Sequence, residues 1–197
     1  MSGSSMGLDR RLAVSALLRD RGNLLVVSGL GSPTYDTFAA GDHAANFYLW
    51  GAMGGAALMG LGLATAQPGR PVAVITGDGE QLMGLGGLAT IAVSKPRNLS
   101  IVVLDNGSYG ETGGQASHSG LGVDLGEVAR ATRFPVVIDV ADAAGLETAR
   151  TAIGSITTGP SFVRVRIGIG AKPRVLPARD GVWIKHRFRA HLGCSAS

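Results

Sequence analysis

Two short polar segments, each directly after an apolar run, contain the residue types in this sequence that best fit metal chemistry. Gly77-Asp78-Gly79 follows "PVAVIT", and Asn106 follows "LSIVVLD". A carboxylate and an amide oxygen are hard ligands. With a backbone carbonyl, a water and two phosphate oxygens, they would complete an octahedron around Mg²⁺. The glycines beside Asp78 allow the backbone to approach a diphosphate closely. The two segments therefore predict one shared site for a metal ion and a diphosphate.

The chain between these segments has a suitable length to bring them together. Residues 80–105 can form one helix and one strand that return to the same edge of a sheet. The amino terminus of a helix that starts near Glu80 would add a favourable dipole for an anion. In parallel α/β sheets, sites form outside the carboxyl ends of the strands, where both segments are expected.

Alternating strands and helices are predicted around this site. The predicted strands cover residues 24–28, 71–77, 99–105, 134–140 and 161–167, and the predicted helices cover 9–21, 53–67, 80–94, 124–132 and 141–156. This order is typical of βαβ units in an α/β protein with a mainly parallel sheet. The central strands are continuously apolar, which indicates helices on both faces of the sheet. Residues 29–50 are interpreted as a loop with one helical turn, and residues 107–122 as a long polar loop.

Length and composition favour one globular domain. Of the 197 residues, 45% are hydrophobic and 16% are charged, and the net charge of +4 is spread along the chain. We expect a domain over residues 1–174 and an extended basic tail over residues 175–197. The tail is interpreted as a solvated segment or a subunit contact rather than a nucleic-acid site, because the chain has no nucleic-acid motif.

Further features bear on the cellular setting. The single cysteine, Cys194, excludes an intrachain disulfide and a Cys-based zinc or iron–sulfur site in this chain. The charged N-terminus is unlike a signal peptide. The glycine-rich apolar run over residues 51–66 favours a buried helix over a membrane span. We therefore expect a cytoplasmic protein with no membrane contact.

The same residues resemble a known family. Gly77-Asp78-Gly79, followed by Asn106 one helix and one strand later, resembles the signature of the diphosphate-binding domain of thiamine diphosphate enzymes. The upstream segment "AAGDHAANFYLWGAMGGAALMGLGLA" looks like the pyrimidine-binding segment of the decarboxylases in that family. The loop "LDNGSYGETGGQ" and the tail "VLPARDGVWIKHRF" are similar to the beta subunits of sulfopyruvate decarboxylase and the matching part of phosphonopyruvate decarboxylase. The resemblance covers residues 8–190.

This resemblance implies a three-layer thiamine diphosphate-binding fold, with Mg²⁺ and thiamine diphosphate as cofactors. It implies that Asp78 and Asn106 bind the metal through their side chains and Ser108 through its main-chain carbonyl. Further cofactor contacts are implied for Gly51, Met53, Gly77, Gly79, Glu80, Tyr109 and Gly110. In this assignment Gly51 accepts a hydrogen bond from the pyrimidine amino group, and Met53 holds the cofactor bent. The Glu80 carboxylate is expected to point away from the anionic diphosphate.

Less specific assignments concern two histidines and the loop after Asn106. His43 stands where the related decarboxylases usually have a basic residue, and we expect it to contact an acidic substrate or to cap a loop. His118 lies in the glycine-rich loop and is a candidate to reach the reacting carbon. Tyr109 and Glu111 are candidates to line the same cavity.

The resemblance also implies a partner. Thiamine diphosphate chemistry requires a carboxylate beside the pyrimidine ring nitrogen, and in the family a glutamate on a separate pyrimidine domain provides it. Because a further domain requires about 150 residues, we expect this glutamate on a partner alpha subunit, in a heterotetramer or larger assembly. The implied reaction is decarboxylation of a small 2-oxo acid to carbon dioxide and an aldehyde.

Other functions stay open at this point. The chain could belong to a thiamine diphosphate carboligase or a 2-oxo acid oxidoreductase, or it could bind the cofactor without activity of its own. A nucleotide-binding α/β protein is a further alternative. Its only support is "SGLGSPTYD", which lacks the third glycine of a dinucleotide fingerprint.

Overall fold

The computed structural model describes residues 7–194, and its centre is a parallel β-sheet. The strands are β1 (Leu25–Ser28), β2 (Asn46–Tyr48), β3 (Val72–Gly77), β4 (Leu99–Asp105), β5 (Ser108–Tyr109), β6 (Gln115–Ala116), β7 (Val136–Val140) and β8 (Ser161–Arg166). Six of them form one sheet in the order β2-β1-β3-β4-β8-β7. Every neighbouring pair in it is parallel. The strands β5 and β6 form a separate antiparallel hairpin.

Helices cover both faces of this sheet. They are α1 (Arg10–Leu18), α2 (Ser32–Ala39), α3 (Ala56–Ala66), α4 (Asp78–Met83), α5 (Gly86–Ser94), α6 (Leu125–Ala131), α7 (Ala143–Ile153) and α8 (Gly181–His191). The side chains of successive strand residues point to opposite faces of the sheet, so they pack in two different cores. Val27 packs in a core with α3, α5 and α6. Val26 packs in the other core, with α1 and α7. The predicted three-layer α/β fold with a parallel central sheet is confirmed.

The interpretation of residues 29–50 as a loop with one helical turn was wrong. The segment contains the two-turn helix α2 and the short edge strand β2. Helix α2 begins at Ser32-Pro33 after Gly31, whose φ is +72°. Its buried residues include polar ones, Thr34, Asp36 and Thr37, so it lacks the apolar periodicity that identifies an amphipathic helix.

The single helix predicted over residues 80–94 is two helices, α4 and α5. The break is at Gly84, which is the C-cap of α4. A Cβ at Gly84 would lie 2.2 Å from the carbonyl oxygen of Gly54. The two backbones are therefore in direct contact. The chain bends at the point where α4 meets the turn before α3.

The prediction of an extended C-terminal tail was also wrong in part. Residues 181–191 form α8, whose N-cap Asp180 accepts hydrogen bonds from the backbone amides of Val182 and Trp183. Ile184 and Phe188, one turn apart, are buried, and the Phe188 ring packs against Phe47. The boundary between residues 174 and 175 stays a prediction. Within residues 7–194, no helix is long and apolar enough to cross a membrane.

Candidate functional site

A cavity of about 330 Å³ opens at the carboxyl ends of β3 and β4. It lies where a parallel sheet is expected to bind its ligand. Its walls come from the loop after β1, the turn before α3, the start of α4 and the β5–β6 hairpin. The lining residues are Arg10, Leu30, Ser32, Pro33, Met53, Gly77, Asp78, Gly79, Glu80, Met83, Leu104, Asn106, Ser108, Tyr109, Gly110, Glu111, Thr112 and Ile167.

Asp78 is a buried carboxylate at the start of α4. It is 2% exposed, and its Oδ2 accepts hydrogen bonds from the hydroxyls of Ser117, at 2.5 Å, and Ser119, at 3.0 Å. Burial raises the pKa of Asp78 above its usual value. The hydrogen bond from Ser117 opposes this shift, and the nearby Asp105 charge reinforces it. A cation beside Asp78 would stabilise the ionised form, so the position suits a metal ligand.

A local turn fixes the orientation of the Asn106 side chain. Its Oδ1 accepts a hydrogen bond of 2.9 Å from the Ser108 backbone amide. Gly107, between the two, adopts a φ of +68° that favours glycine. An amide oxygen has two lone pairs, so one remains for a ligand on the cavity side. Register between β3 and β4 pairs Gly77 with Leu104, which brings Asp78 and Asn106 to one edge of the sheet.

The metal-ligand prediction thus concerns three residues that line one cavity: Asp78, Asn106 and Ser108. Within residues 7–194 there is no group of three or more His, Cys, Asp or Glu side chains that could hold a metal. A metal here would therefore have one carboxylate, one amide and one backbone ligand, and phosphate oxygens would complete the shell. Such a set suits Mg²⁺, which rarely binds in all-protein cages.

Gly79 provides close backbone access to the cavity. A Cβ on this residue would lie 2.4 Å from the Tyr109 ring, closer than atoms can approach. The Tyr109 ring therefore lies directly on the Gly79 backbone, and both line the cavity. A larger residue at position 79 would displace the wall on which a diphosphate is expected to rest.

The turn that carries Met53 is conformationally unusual. Gly51, Ala52 and Gly54 have φ values of +75°, +50° and +88°. For Ala52 this is a sparsely populated region that costs energy, and such strain is frequent at ligand sites. Met53 lines the cavity and remains 37% exposed. The turn presents Met53 at the mouth of the cavity, while Gly51 is not among the lining residues.

Glu80 turns its carboxylate toward the body of the domain. Its Oε2 accepts a hydrogen bond of 2.9 Å from the Thr76 hydroxyl, and a Cβ at Gly29 would lie 1.8 Å from the same atom. Burial raises the pKa of Glu80, since the residue is 5% exposed. Its Oε1 has no hydrogen-bond partner among the described residues.

The two candidate histidines lie in different parts of the structure, and both are outside the cavity lining. His43 precedes β2, at the amino-terminal edge of the sheet and outside the cavity. Its Nδ1 accepts a hydrogen bond from the Ala45 amide, which agrees with the loop-cap alternative, and its contact with an acidic substrate stays a prediction. His118 is exposed, also outside the cavity lining. Its neighbours Ser117 and Ser119 contact Asp78, and its catalytic assignment stays a prediction.

The hairpin closes one side of the cavity through Glu111. Ser32 donates a hydrogen bond of 3.1 Å to Glu111 Oε1, and Arg174 donates one of 2.9 Å to Glu111 Oε2. Tyr109, Gly110 and Glu111 all line the cavity, as expected. Arg174 comes from the segment after β8, which therefore contributes to the rim.

Sequence reasoning missed several residues of the site. Ser117 and Ser119 bracket His118 in "ASHSG" and bind Asp78. The single hydroxyl hydrogen of Ser119 is shared between Asp78 and Asp105, whose Oδ1 lies 2.7 Å from the Ser119 oxygen. Asp105 also forms a buried ion pair with Arg164. The serines that flank His118 were a local signal that the sequence offered. Arg10 had no such signal, because it lies in α1, far from the motif in sequence, and only the tertiary structure brings it to the cavity.

The fold and the cavity define an α/β protein with a ligand-sized cavity at the carboxyl ends of its central strands. The family model described as "Thiamine pyrophosphate enzyme, C-terminal TPP binding domain" matches residues 31–165. The chain belongs to this thiamine pyrophosphate-binding family. The buried Asp78 carboxylate, the Asn106 oxygen and the close backbone approach at Gly79 fit that cofactor with Mg²⁺.

Two relatives are especially similar. Sulfopyruvate decarboxylase subunit beta of Methanothermobacter thermautotrophicus is 39% identical over 84% of this chain and 85% of the relative. Phosphonopyruvate decarboxylase of Streptomyces viridochromogenes is 41% identical over 85% of this chain, but the match spans only 42% of that relative. The chain therefore matches nearly all of a separate subunit and less than half of a longer decarboxylase.

Solved structures agree with the fold. A benzoylformate decarboxylase from Polynucleobacter necessarius superposes with a TM-score of 0.67 at 21% identity, over 88% of this chain and 35% of that one. A thiamin diphosphate-dependent enzyme from Mycobacterium smegmatis gives a TM-score of 0.70 at 23% identity, over 85% of this chain and 32% of that one. At these identities the likeness supports the architecture alone.

Proposed function

We propose that this chain is the cofactor-binding beta-type subunit of a thiamine diphosphate- and Mg²⁺-dependent 2-oxo acid decarboxylase that releases carbon dioxide and an aldehyde. The supporting relatives are decarboxylases, and several are separate beta subunits. The observation that carries the proposal is the shared cavity of Asp78, Asn106 and Ser108 at the ends of adjacent parallel strands.

The chain's own residues bind and orient in this proposal. Asp78 and Asn106 would hold Mg²⁺ through side-chain oxygens and Ser108 would add its carbonyl, so that these residues together would position the diphosphate. Gly77 and Gly79 give the diphosphate close backbone contact. Met53, held in its turn by the Gly54–Gly84 contact, supports the bent conformation of the cofactor. Thiamine diphosphate, when bound, supplies the electron sink for loss of carbon dioxide.

Mobile water must be kept from the reacting centre, and the apolar walls contribute to this. Leu30, Met83, Leu104 and Ile167 line the cavity. Leu104 and Ile167 are buried, whereas Met83 is largely exposed. Expulsion of water strengthens the electrostatic interactions inside such a site. The ring end of the cavity, at Met53, remains exposed, so this chain leaves that end for a partner to cover.

The partner in the proposal is a pyrimidine-domain alpha subunit. Glu80 is a buried glutamate of the cavity lining, and its Oε2 accepts the hydrogen bond from Thr76 and packs against Gly29. In the proposal Glu80 keeps these contacts and does not serve the pyrimidine ring nitrogen. A carboxylate from the partner would do so, in a heteromer proposed to contain two copies of each chain. The proposed setting is the cytoplasm.

One other reaction class has a specific observation in its favour. The 2-oxoacid:ferredoxin oxidoreductase 2 subunit beta of Aeropyrum pernix is 42% identical over 53% of this chain and 33% of that protein. Oxidoreductases of this type often use iron–sulfur clusters. The single cysteine, Cys194, is exposed and near the C-terminus, so a cluster would have to come from another chain. We favour decarboxylation because the relatives with broader coverage are decarboxylases.

The test is an activity assay on this chain, on a co-expressed pyrimidine-domain chain and on their mixture. We expect carbon dioxide release from a 2-oxo acid, such as sulfopyruvate or phosphonopyruvate, by the mixture alone. Asp78→Asn should abolish this activity, whereas Asp20→Asn, at an 83% exposed side chain remote from the cavity, should preserve it. Electron transfer to a dye without aldehyde formation would favour the oxidoreductase class. Cofactor binding with no turnover on any 2-oxo acid would favour a binding subunit.

A further inference from the structure

Arg10, in the first turn of α1, is a buried cation in the wall of the cavity. The residue is 8% exposed, and its side chain is 9% exposed. Leu8, just before it, forms a parallel bridge with Ile167 after β8, which anchors the start of α1 at the carboxyl edge of the sheet. Arg10 therefore shares a cavity with Asp78 and Asn106 although it lies 68 and 96 positions before them in the sequence.

The local charges around Arg10 do not balance. Asp36 is fully buried and is shared by two arginines, with Arg11 Nε at 3.0 Å from Oδ1 and Arg10 Nε at 3.4 Å from Oδ2. The other charges nearby, Lys172 and Asp9, pair with each other. Among these five groups the three cations, Arg10, Arg11 and Lys172, outnumber the two carboxylates by one.

Arg10 holds the weaker share of that carboxylate. Arg11 has the shorter contact and a second hydrogen bond of 2.8 Å from Nη2 to the Pro173 carbonyl. Within residues 7–194, the approach of its Nε to Asp36 Oδ2 is the one polar contact of the Arg10 side chain and is not a hydrogen bond, and its two terminal nitrogens donate no hydrogen bond to the protein. A buried cation is costly unless it is paired and hydrogen-bonded. This side chain is thus arranged to receive an anion from the cavity.

The cavity composition identifies the anion. Arg10 is the one basic side chain among its lining residues, beside the acidic Asp78, Glu80 and Glu111. A diphosphate together with the Asp78 carboxylate has more negative charge than one Mg²⁺ neutralises, so a further cation is required. Helix α2 adds a partial positive charge, because its N-cap Gly31 provides no side-chain cap and Ser32 and Pro33 line the same wall.

We infer that Arg10 binds the terminal phosphate of the cofactor diphosphate and offsets the charge that Mg²⁺ leaves. This inference rests on the proposed function, because it takes thiamine diphosphate as the ligand. The terminal phosphate is the part of the cofactor farthest from the rings, which are expected at Met53. The guanidinium group presents several donors and forms strong charge-assisted bonds with phosphate oxygens.

The test compares two ligands and two arginines. Affinities of thiamine diphosphate and thiamine monophosphate are measured in magnesium buffer, by calorimetry and by competition at millimolar ligand. We expect Arg10→Gln to weaken diphosphate binding about tenfold or more, with the monophosphate affinity nearly unchanged. Arg11→Gln is the matched control, since it loses the shorter ion pair with the same Asp36 but does not line the cavity. It should change each affinity by about twofold at most, which is less than the free energy that one hydrogen bond contributes.

A structural role for Arg10 predicts other results. If Arg10 only ties α1 to Asp36, Arg10→Gln should weaken both ligands equally, or neither, and either result overturns the inference. Should Arg10→Gln fold poorly because Asp36 loses a partner, Arg10→Gln/Asp36→Asn removes both charges and should still lose diphosphate affinity relative to Asp36→Asn alone. If the unaltered chain binds no thiamine diphosphate, the proposed function fails as well. Binding by the unaltered chain with no effect of Arg10→Gln refutes the Arg10 inference alone.

Discussion

The contact between Gly84 and Gly54 connects the end of α4 to the turn that presents Met53. A Cβ at position 84 would lie 2.2 Å from the Gly54 carbonyl oxygen and 3.0 Å from its carbonyl carbon. Carbon and oxygen atoms in close contact are about 3.3 Å apart, so Gly84→Ala requires the two segments to separate by about 1 Å. Gly84 has φ −97°, which alanine adopts freely, so the effect comes from the contact alone.

The expected cost follows from overpacking. Insertion of a methyl group between two backbones typically destabilises a protein by about 1–3 kcal/mol. For a chain of this length that corresponds to a melting temperature lower by about 2–12 °C. Displacement of the Met53 turn should also weaken cofactor binding, because Gly51 to Gly54 would move relative to Asp78. The measurements are urea or thermal unfolding and calorimetry with thiamine diphosphate in magnesium buffer.

Gly86→Ala is the matched control. Gly86 begins α5, has an ordinary φ, and a Cβ there would meet nothing within 4 Å. This change should stabilise the protein by about 0.4–1 kcal/mol, through lower entropy of the unfolded chain, and should leave cofactor binding intact. If Gly84→Ala proves as stable as Gly86→Ala and binds the cofactor as well, the proposed link between α4 and the Met53 turn is wrong.

Two further predictions concern the mouth of the cavity and the C-terminal helix. Met53→Ala should reduce the turnover of the assembled enzyme but should lower the melting temperature little, since Met53 is partly exposed. Unchanged turnover would contradict the role of Met53 in cofactor binding. Burial and the nearby Arg70 charge lower the pKa of His191 below 6.5, so the unfolded chain binds more protons and stability is lost as the pH falls below 6.5. His191→Gln, which keeps an acceptor for Arg70, should lose less free energy of unfolding between about pH 7.5 and 5.5; equal losses in urea titrations would contradict this.

Much of the fold could be predicted because the central strands are continuous apolar runs. "VAVIT" and "SIVVL" have a single interpretation in a chain with alternating helices, and they correctly placed Asp78 and Asn106 at one sheet edge. Helix α2 was not predicted because its buried face is partly polar. Asp36 is buried on that face and forms ion pairs with Arg10 and Arg11. Such pairing depends on tertiary structure, which a local pattern does not encode.

The errors elsewhere have similar causes. The break between α4 and α5 follows from the Gly54 contact at Gly84, which no local propensity indicates. Helix α8, in contrast, had a local signal: Asp180 as N-cap, then Ile184 and Phe188 one turn apart. Its highly charged composition obscured that signal.

The central claim is that Asp78 helps to hold Mg²⁺ for the cofactor diphosphate. The most direct measurement is calorimetric titration of this chain with thiamine diphosphate, in buffer with Mg²⁺ and in buffer with EDTA. We predict binding by the unaltered chain only when Mg²⁺ is present, and none by Asp78→Asn in either buffer, with Asp20→Asn as the folded control. Undiminished affinity of Asp78→Asn in magnesium buffer, or equal affinity of the unaltered chain in EDTA, would contradict the account.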